Sequence, residues 1–222
     1  MKLWLYSSGD LESNQHIDQL LLKQINKRRP SYCFIPSAYE DFDYYYDEFI
    51  NRFSSYSQCQ FNALHLDRQP SEKDIIKALK TDLIYLSGGN TFHFLKYIRS
   101  TGIESKLRDF LKAGGIIAGH SAGAIIMSPN INTASYPPDD RDENRVGLTN
   151  LRGMKFCSFE IFPHFYVRSK IQNQALLDAS KNLKHIIYGL PDGAAIAVNG
   201  SSVTFHGPVA CFAQGTRSII RK

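Results

Sequence analysis

The 222-residue chain lacks most of the features that would assign it to a special class of protein. Its four cysteines, Cys33, Cys59, Cys157 and Cys211, lie far apart and never form a C-x-x-C pair. Neither a zinc site nor a redox motif has support, and reduced, buried thiols are expected. There is no long apolar run either: after Lys2 the N-terminus MKLWLYSSGD offers only about five mostly apolar residues, too few for a signal peptide or a membrane span. The expected compartment is the cytoplasm, with no membrane partner. Blocks of like charge are missing although the formal net charge is +5. The longest basic cluster, Lys27, Arg28 and Arg29, ends a predicted helix before Pro30, where cations complement the helix dipole, so nucleic acid is not an expected partner. With no repeats or low-complexity tracts, and with 43% hydrophobic and 21% charged residues, one ordinary globular domain over 1–222 is expected.

What is present is a regular alternation of short β-like runs and longer helix-period runs. KLWLYSS (2–8) leads into a helix on which Ile17, Leu20, Leu21 and Ile25 share a face. YCFIPSA (32–38) is backed by the aromatic, acidic segment DFDYYYDEFI, and FNALHL (61–66) by SEKDIIKALK, whose Ser71 and Asp74 form a capping-box pattern. A fourth strand, DLIYLSGG (82–89), precedes NTFHFLKYIRS and a helix bearing Ile103, Leu107, Phe110 and Leu111 on one side, ended by Gly114 and Gly115. The fifth strand is GIIAG (115–119). Continuous apolar strands are what a sheet covered on both faces requires. The fold class expected is therefore α/β, a three-layer sandwich around a mostly parallel sheet. After residue 128 the pattern loosens into a polar, proline-containing loop of 128–150, long enough to suggest a functional segment. FEIFPHF (159–165), a helix over KIQNQALLDASKN and a set of short strands follow, and the hairpin signal VNGSSV makes the C-terminal edge antiparallel.

The stretch GGIIAGHSAGAIIM (114–127) lifts one serine, Ser121, out of an apolar run. G-H-S-A-G matches a nucleophile elbow, in which flanking glycines are needed because the strand-to-helix turn is tight and side chains there would collide with neighbouring elements. A serine needs a base. Of seven histidines, His120 is the elbow's own second residue and is expected to point away from Ser121. His164, in FPHFY, follows an apolar strand at the edge where open α/β folds gather ligands, and is the candidate base.

LSGGNTFHFL, IIAGHSAGAIIM, FPHF and GLPDGAAIAV, in this order, resemble the peptidase E family of serine peptidases, which also contains the cyanophycinases. The resemblance spans residues 86–198. It implies a fold akin to class I glutamine amidotransferases, with Ser121 as nucleophile and His164 as general base. Gly88 and Gly89 then correspond to the family's glycine pair, and the N–H groups of Gly89 and Ala122 are expected to form the oxyanion hole. For the triad acid, Asp192 in GLPDG is favoured, with Asp139, Asp140 and Glu160 as alternatives.

Family members include dipeptidases that remove N-terminal aspartate. Gly88 and Asn90 are the expected substrate contacts, and Arg168 and Lys170 the nearby cations, although neither cation aligns with the family's arginine without a shift. The expected activity is hydrolysis of small peptides by acyl transfer, with no metal or organic cofactor, and with a second copy of the chain left open as a partner. The 128–150 loop is read as a lid. Another hydrolase on the same elbow, an isopeptidase or esterase, and an inactive amidotransferase-like binding protein are the competing readings.

Overall fold

The structure, a computed structural model, describes residues 1–38, 42–56, 58–138 and 141–221. Five parallel strands form the heart of a seven-stranded sheet: β1 (Lys2–Tyr6), β2 (Ser31–Ile35), β3 (Gln60–Ala63), β4 (Leu83–Leu86) and β5 (Ile116–His120). They lie in the order β3-β2-β4-β5-β1, and β8 (Ala195–Asn199) and β9 (Ser202–His206) extend the sheet antiparallel beyond β1. The expected hairpin at VNGSSV is thus the edge of the main sheet. The third strand is shorter than its apolar run suggested, giving way to a 3₁₀ turn at Leu66–Arg68.

Side chains alternate across the sheet, and both faces are apolar. Leu3, Leu5, Ile35, Ile84, Leu86 and Ile117 point to one core, Trp4, Tyr6, Tyr32, Phe34, Tyr85 and Ala118 to the other. The first face is covered by α3 (Glu72–Leu79), α4 (Thr91–Ser100) and α5 (Ile103–Lys112). On the second face lie α1 (Leu11–Ile25) and α2 (Phe42–Ser54). Ser71 caps α3 as its motif predicts: its hydroxyl accepts from the Asp74 N–H, and its own N–H donates to the Asp74 carboxylate.

Two features depart from expectation. On α1 the buried positions are Asn14, Ile17, Asp18 and Leu21, a face one turn nearer the N-terminus than the apolar pattern suggested, and it carries a wholly buried acid. The chain also builds a second sheet from β6 (Glu160–Phe162), β7 (Ile187–Gly189), β10 (Val209–Ala213) and β11 (Thr216–Ile220), in the order β11-β10-β7-β6. Phe162, Phe165 and Phe212 pack this sheet against Leu176 of α7 (Lys170–Lys181). Its role is positional: β6 and β7 end beside the carboxyl edge of the main sheet, where β1 and β5 also end. Among the described residues no helix is long and apolar enough to cross a membrane.

Candidate active site

Ser121 stands between β5 and the short helix α6 (Ala122–Ile125) at φ +50° and ψ −111°, a conformation that few residues other than glycine adopt. The flanking glycines explain how the turn closes. A β-carbon at Gly119 would overlap the carbonyl of Gly123, and one at Gly123 would overlap the carbonyl of Leu86. The turn is anchored by the Ser121 N–H, which donates to the carbonyls of Tyr6 and Ser7, and by the Gly123 N–H on the Ser87 carbonyl.

The Ser121 Oγ lies 3.0 Å from His164 Nε2, and His164 Nδ1 lies 3.1 Å from Asp192 Oδ1. An ionised carboxylate only accepts, so Nδ1 carries the proton and Nε2 is free to take one from the serine. The structure therefore brings Ser121, His164 and Asp192 into one line, although they come from three separate loops. Asp192 sits in a turn closed by the Ala194 N–H on the Pro191 carbonyl, with Gly193 at φ +77°.

Residues that carried no motif hold this line in place. Ser7, completely buried just after β1, contacts the loops that carry Ser121, His164 and Asp192. Its carbonyl accepts the Ser121 N–H, and its hydroxyl accepts the His164 N–H at 2.8 Å while lying 2.8 Å from the Leu190 carbonyl and 3.1 Å from Asp192 Oδ1. His164 itself is held at φ +54°, its carbonyl accepting from Gln172 Nε2. The Gln172 side-chain oxygen in turn accepts the Tyr166 N–H.

Gly88 and Gly89 follow β4 and abut the elbow. A β-carbon on Gly88 would lie 3.7 Å from that of Ser121, and Gly89, at φ +115°, has room for none because of the Ser37 hydroxyl. Ala122 opens α6, where first-turn N–H groups have no intrahelical acceptor. Ser121, His164, Gly88 and Gly89 border a cavity of about 610 Å³ that extends to α2, within the size range of small-ligand sites. His120, expected to point away, also borders this cavity; burial, aided by the charges of Arg52 and His164, pushes its imidazole down to about 3, so it is neutral at physiological pH.

Other expected residues lie elsewhere. Asn90 caps α4: its side-chain oxygen accepts the His93 N–H, its amide donates to the Glu143 carbonyl, and it does not border the cavity. Arg168 and Lys170 are exposed beyond His164 and do not border the cavity. Glu160 begins β6 fully buried, 3.8 Å from His185 Nδ1, and is not the partner of His164. Asp139 and Asp140 lie outside the described residues. The loop expected to form a lid is tied to α4 through the Asp142 carboxylate, which accepts the Thr91 N–H, and its ends meet where the Ile131 N–H reaches the Leu151 carbonyl; none of its described residues borders the cavity.

A strained serine facing a histidine at the carboxyl edge of a three-layer α/β sheet puts the chain among proteins built for seryl-nucleophile chemistry, and comparison with known proteins narrows that class. The model of peptidase family S51 matches residues 3–206, from β1 to the end of β9, and the chain belongs to this family. It is 32% identical over 152 residues to the uncharacterized peptidase YgaJ of Bacillus subtilis (strain 168), covering 68% of this chain and 62% of that protein. It is 28% identical over 221 residues to peptidase E of Salmonella arizonae, covering 94% and 91%. The crystal structure of a provisionally assigned peptidase E protein from Listeria monocytogenes EGD-e superposes with a TM-score of 0.74 at 26% identity, covering 92% of this chain and 97% of that one. For YgaJ and a similar Listeria monocytogenes peptidase, the match spans about three-fifths of their length, 62% and 61%.

Proposed function

We propose that the chain is a serine peptidase that hydrolyses small peptides through an acyl-enzyme, with Ser121 as nucleophile, His164 as base and Asp192 as the acid that orients it. The observation that carries this reading is the unbroken line from Ser121 Oγ through both ring nitrogens of His164 to Asp192. In the first half-reaction His164 Nε2 takes the Ser121 proton while Oγ bonds to the scissile carbonyl carbon. The N–H groups of Gly89 and Ala122 stabilise the resulting oxyanion, each worth about 3–4 kcal/mol when well aimed. The C–N bond then breaks as His164 returns its proton to the departing amine. Water repeats the sequence and releases the acid.

Small peptides are favoured over long chains by the cavity's limited volume of about 610 Å³. Peptidase E is the name of several relatives, which supports an amide as the bond cleaved. The four free cysteines accord with the cytoplasm as the compartment. The test has two arms. A fluorophosphonate should label the wild type at Ser121 and leave Ser121→Ala unlabelled, and a dipeptide panel read by amine release should be cleaved by the wild type alone. A wild type that neither labels nor cleaves would refute the reading in favour of a non-catalytic protein, and cleavage of esters without any amide would make it an esterase.

A further inference from the structure

The cation on the cavity wall is already paired from within. Among the described residues bordering it, Arg52 of α2 is the only lysine or arginine. Its Nε donates to Asp18 Oδ2 at 2.7 Å and its Nη2 to Asp18 Oδ1 at 2.6 Å. The Asp18 side chain is 0% exposed and that of Arg52 10%. The hydroxyls of Tyr6 and Tyr56 donate to the same carboxylate at 3.0 and 3.3 Å. Burial and the Asp18 charge hold the Tyr6 phenol well above its ordinary range, so it remains a donor. The guanidinium lies 5.0 Å from the centre of the Tyr6 ring. This is a two-pronged pair with its carboxylate fully satisfied, and it presents little net charge to the cavity. His120 is neutral, and the other acidic side chains on the lining are Asp10 and Glu48, so the wall carries more carboxylates than free cations.

The uncharged lining combines aromatic rings with Leu11 and with small or polar residues such as Ser8, Asn51 and Ser87. Phe34, Phe49 and Tyr85 form buried wall, and Tyr45 stands exposed at the mouth. A substrate carboxylate entering here would shed water without meeting an unmatched cation. An apolar or aromatic side chain carries no such cost and would stack on Tyr45, the exposed ring at the mouth. Gly88 and Gly89, beside which the attacked carbonyl sits, border the same cavity, so it serves the acyl residue. We propose that this cavity selects peptides whose residue on the acyl side of the scissile bond is neutral, apolar or aromatic, and disfavours aspartate. The proposal rests on the reading of Ser121 as nucleophile and names the substrate class for that site.

Initial rates with Phe-Ala, Leu-Ala and Asp-Ala read the selectivity. A kcat/KM for Phe-Ala or Leu-Ala at least about tenfold above that for Asp-Ala is expected from the cost of an unmatched carboxylate; equal or faster Asp-Ala overturns the proposal. Calorimetric titration of Ser121→Ala with the same peptides separates pocket from chemistry. Tighter Phe-Ala than Asp-Ala upholds the proposal even if no peptide is ever cleaved, in which event only the catalytic reading fails. Equal or tighter Asp-Ala, or no binding of Phe-Ala and Leu-Ala, overturns it. Asp18→Asn removes the internal counter-charge, and wherever that variant folds, its preference for Asp-Ala relative to Phe-Ala should rise about tenfold; an unchanged ratio counts against the charge argument.

Discussion

Replacing Ser7 by alanine tests whether the catalytic line is held by the fold or merely passes near it. The hydroxyl is 0% exposed and lies within 3.1 Å of three partners: the His164 N–H, the Leu190 carbonyl and the Asp192 carboxylate. One proton cannot serve two acceptors at once, so it is shared between Leu190 and Asp192 while the oxygen receives the His164 N–H. Without it, the His164 N–H loses its acceptor in a segment that sits at φ +54°. The Leu190 carbonyl is spared, because it still accepts the Phe165 N–H. One lost partnership of this kind costs about 1–3 kcal/mol, which for a domain of this size lowers Tm by about 2–12 °C. The functional effect is separate: a histidine turn free to drift by about 1 Å slows the chemical step by up to about a hundredfold. Fluorophosphonate labelling of Ser121, followed against time beside a thermal melt, reads both. The expected result is slower labelling well below Tm, with the drop in kcat exceeding any change in KM. A variant that melts lower yet labels at the wild-type rate would refute the positioning argument and leave Ser7 a purely structural residue.

Asp192→Asn should slow labelling by about 10³–10⁴-fold, because an amide no longer fixes the tautomer of His164; loss of the same size in Asp139→Asn with Asp192→Asn unaffected would move the acid elsewhere. Gly123→Ala drives a methyl group into the Leu86 carbonyl and should yield insoluble or unfolded protein, whereas Gly114→Ala, in open space at φ +96°, should cost only the strain of its backbone; soluble, active Gly123→Ala would refute the packing account of the elbow. Burial pushes the Glu160 carboxyl from an ordinary 4.5 up to about 7. Its folded form therefore holds a proton that the unfolded chain has lost, and the associated stability is full below pH 4.5 and disappears as pH rises through 7. The gap corresponds to about 3 kcal/mol, so Glu160→Gln should gain in Tm over the wild type between pH 5 and 8, and equal slopes of Tm against pH would contradict the assignment.

The parts legible in the sequence were those with a local signature. The alternation of strands and helices follows from which residues are apolar at which spacing, and Ser121, Gly119 and Gly123 announce a strained turn because few other arrangements need that spacing. His164 and Asp192 were reachable because each ends or turns beside a short apolar run. Ser7 was not: it sits 157 positions from His164, and in SSGD it reads as one more polar residue closing a strand. Asp18 was hidden by its own helix, since an apolar face is traced through Ile17 and Leu21 and a buried acid between them only makes sense once Arg52, 34 positions away, is seen to meet it. Asn90 has a second role that its place after the glycine pair did not suggest: an asparagine just before a helix is also a cap, and here it caps α4. The second sheet escaped because β6 and β7 are three residues long, too short to show any period.

In the proposed function, chemistry and selectivity fall to different layers of this fold, and that separation has a consequence. Parallel strands deliver their carboxyl ends to one edge: β1 supplies Ser7, β4 leads to Gly88 and Gly89, β5 ends at Ser121, and β6 and β7 lead to His164 and Asp192. Each of these sits where the backbone ladder fixes it, and the hydrogen bonds that align them run among strand ends. The Asp18–Arg52 pair belongs instead to α1 and α2, which lie on one face and reach the cavity from the side. Exposed side chains on those helices, such as Tyr45, can change without moving the ladder, whereas the buried Asp18–Arg52 pair is tied to the end of β1 through the Tyr6 hydroxyl. Selectivity is thus the quantity this architecture leaves open to substitution, and the triad geometry the one it does not. Exchange of Tyr45 is accordingly expected to alter the ratio of peptide substrates while leaving fluorophosphonate labelling of Ser121 largely intact.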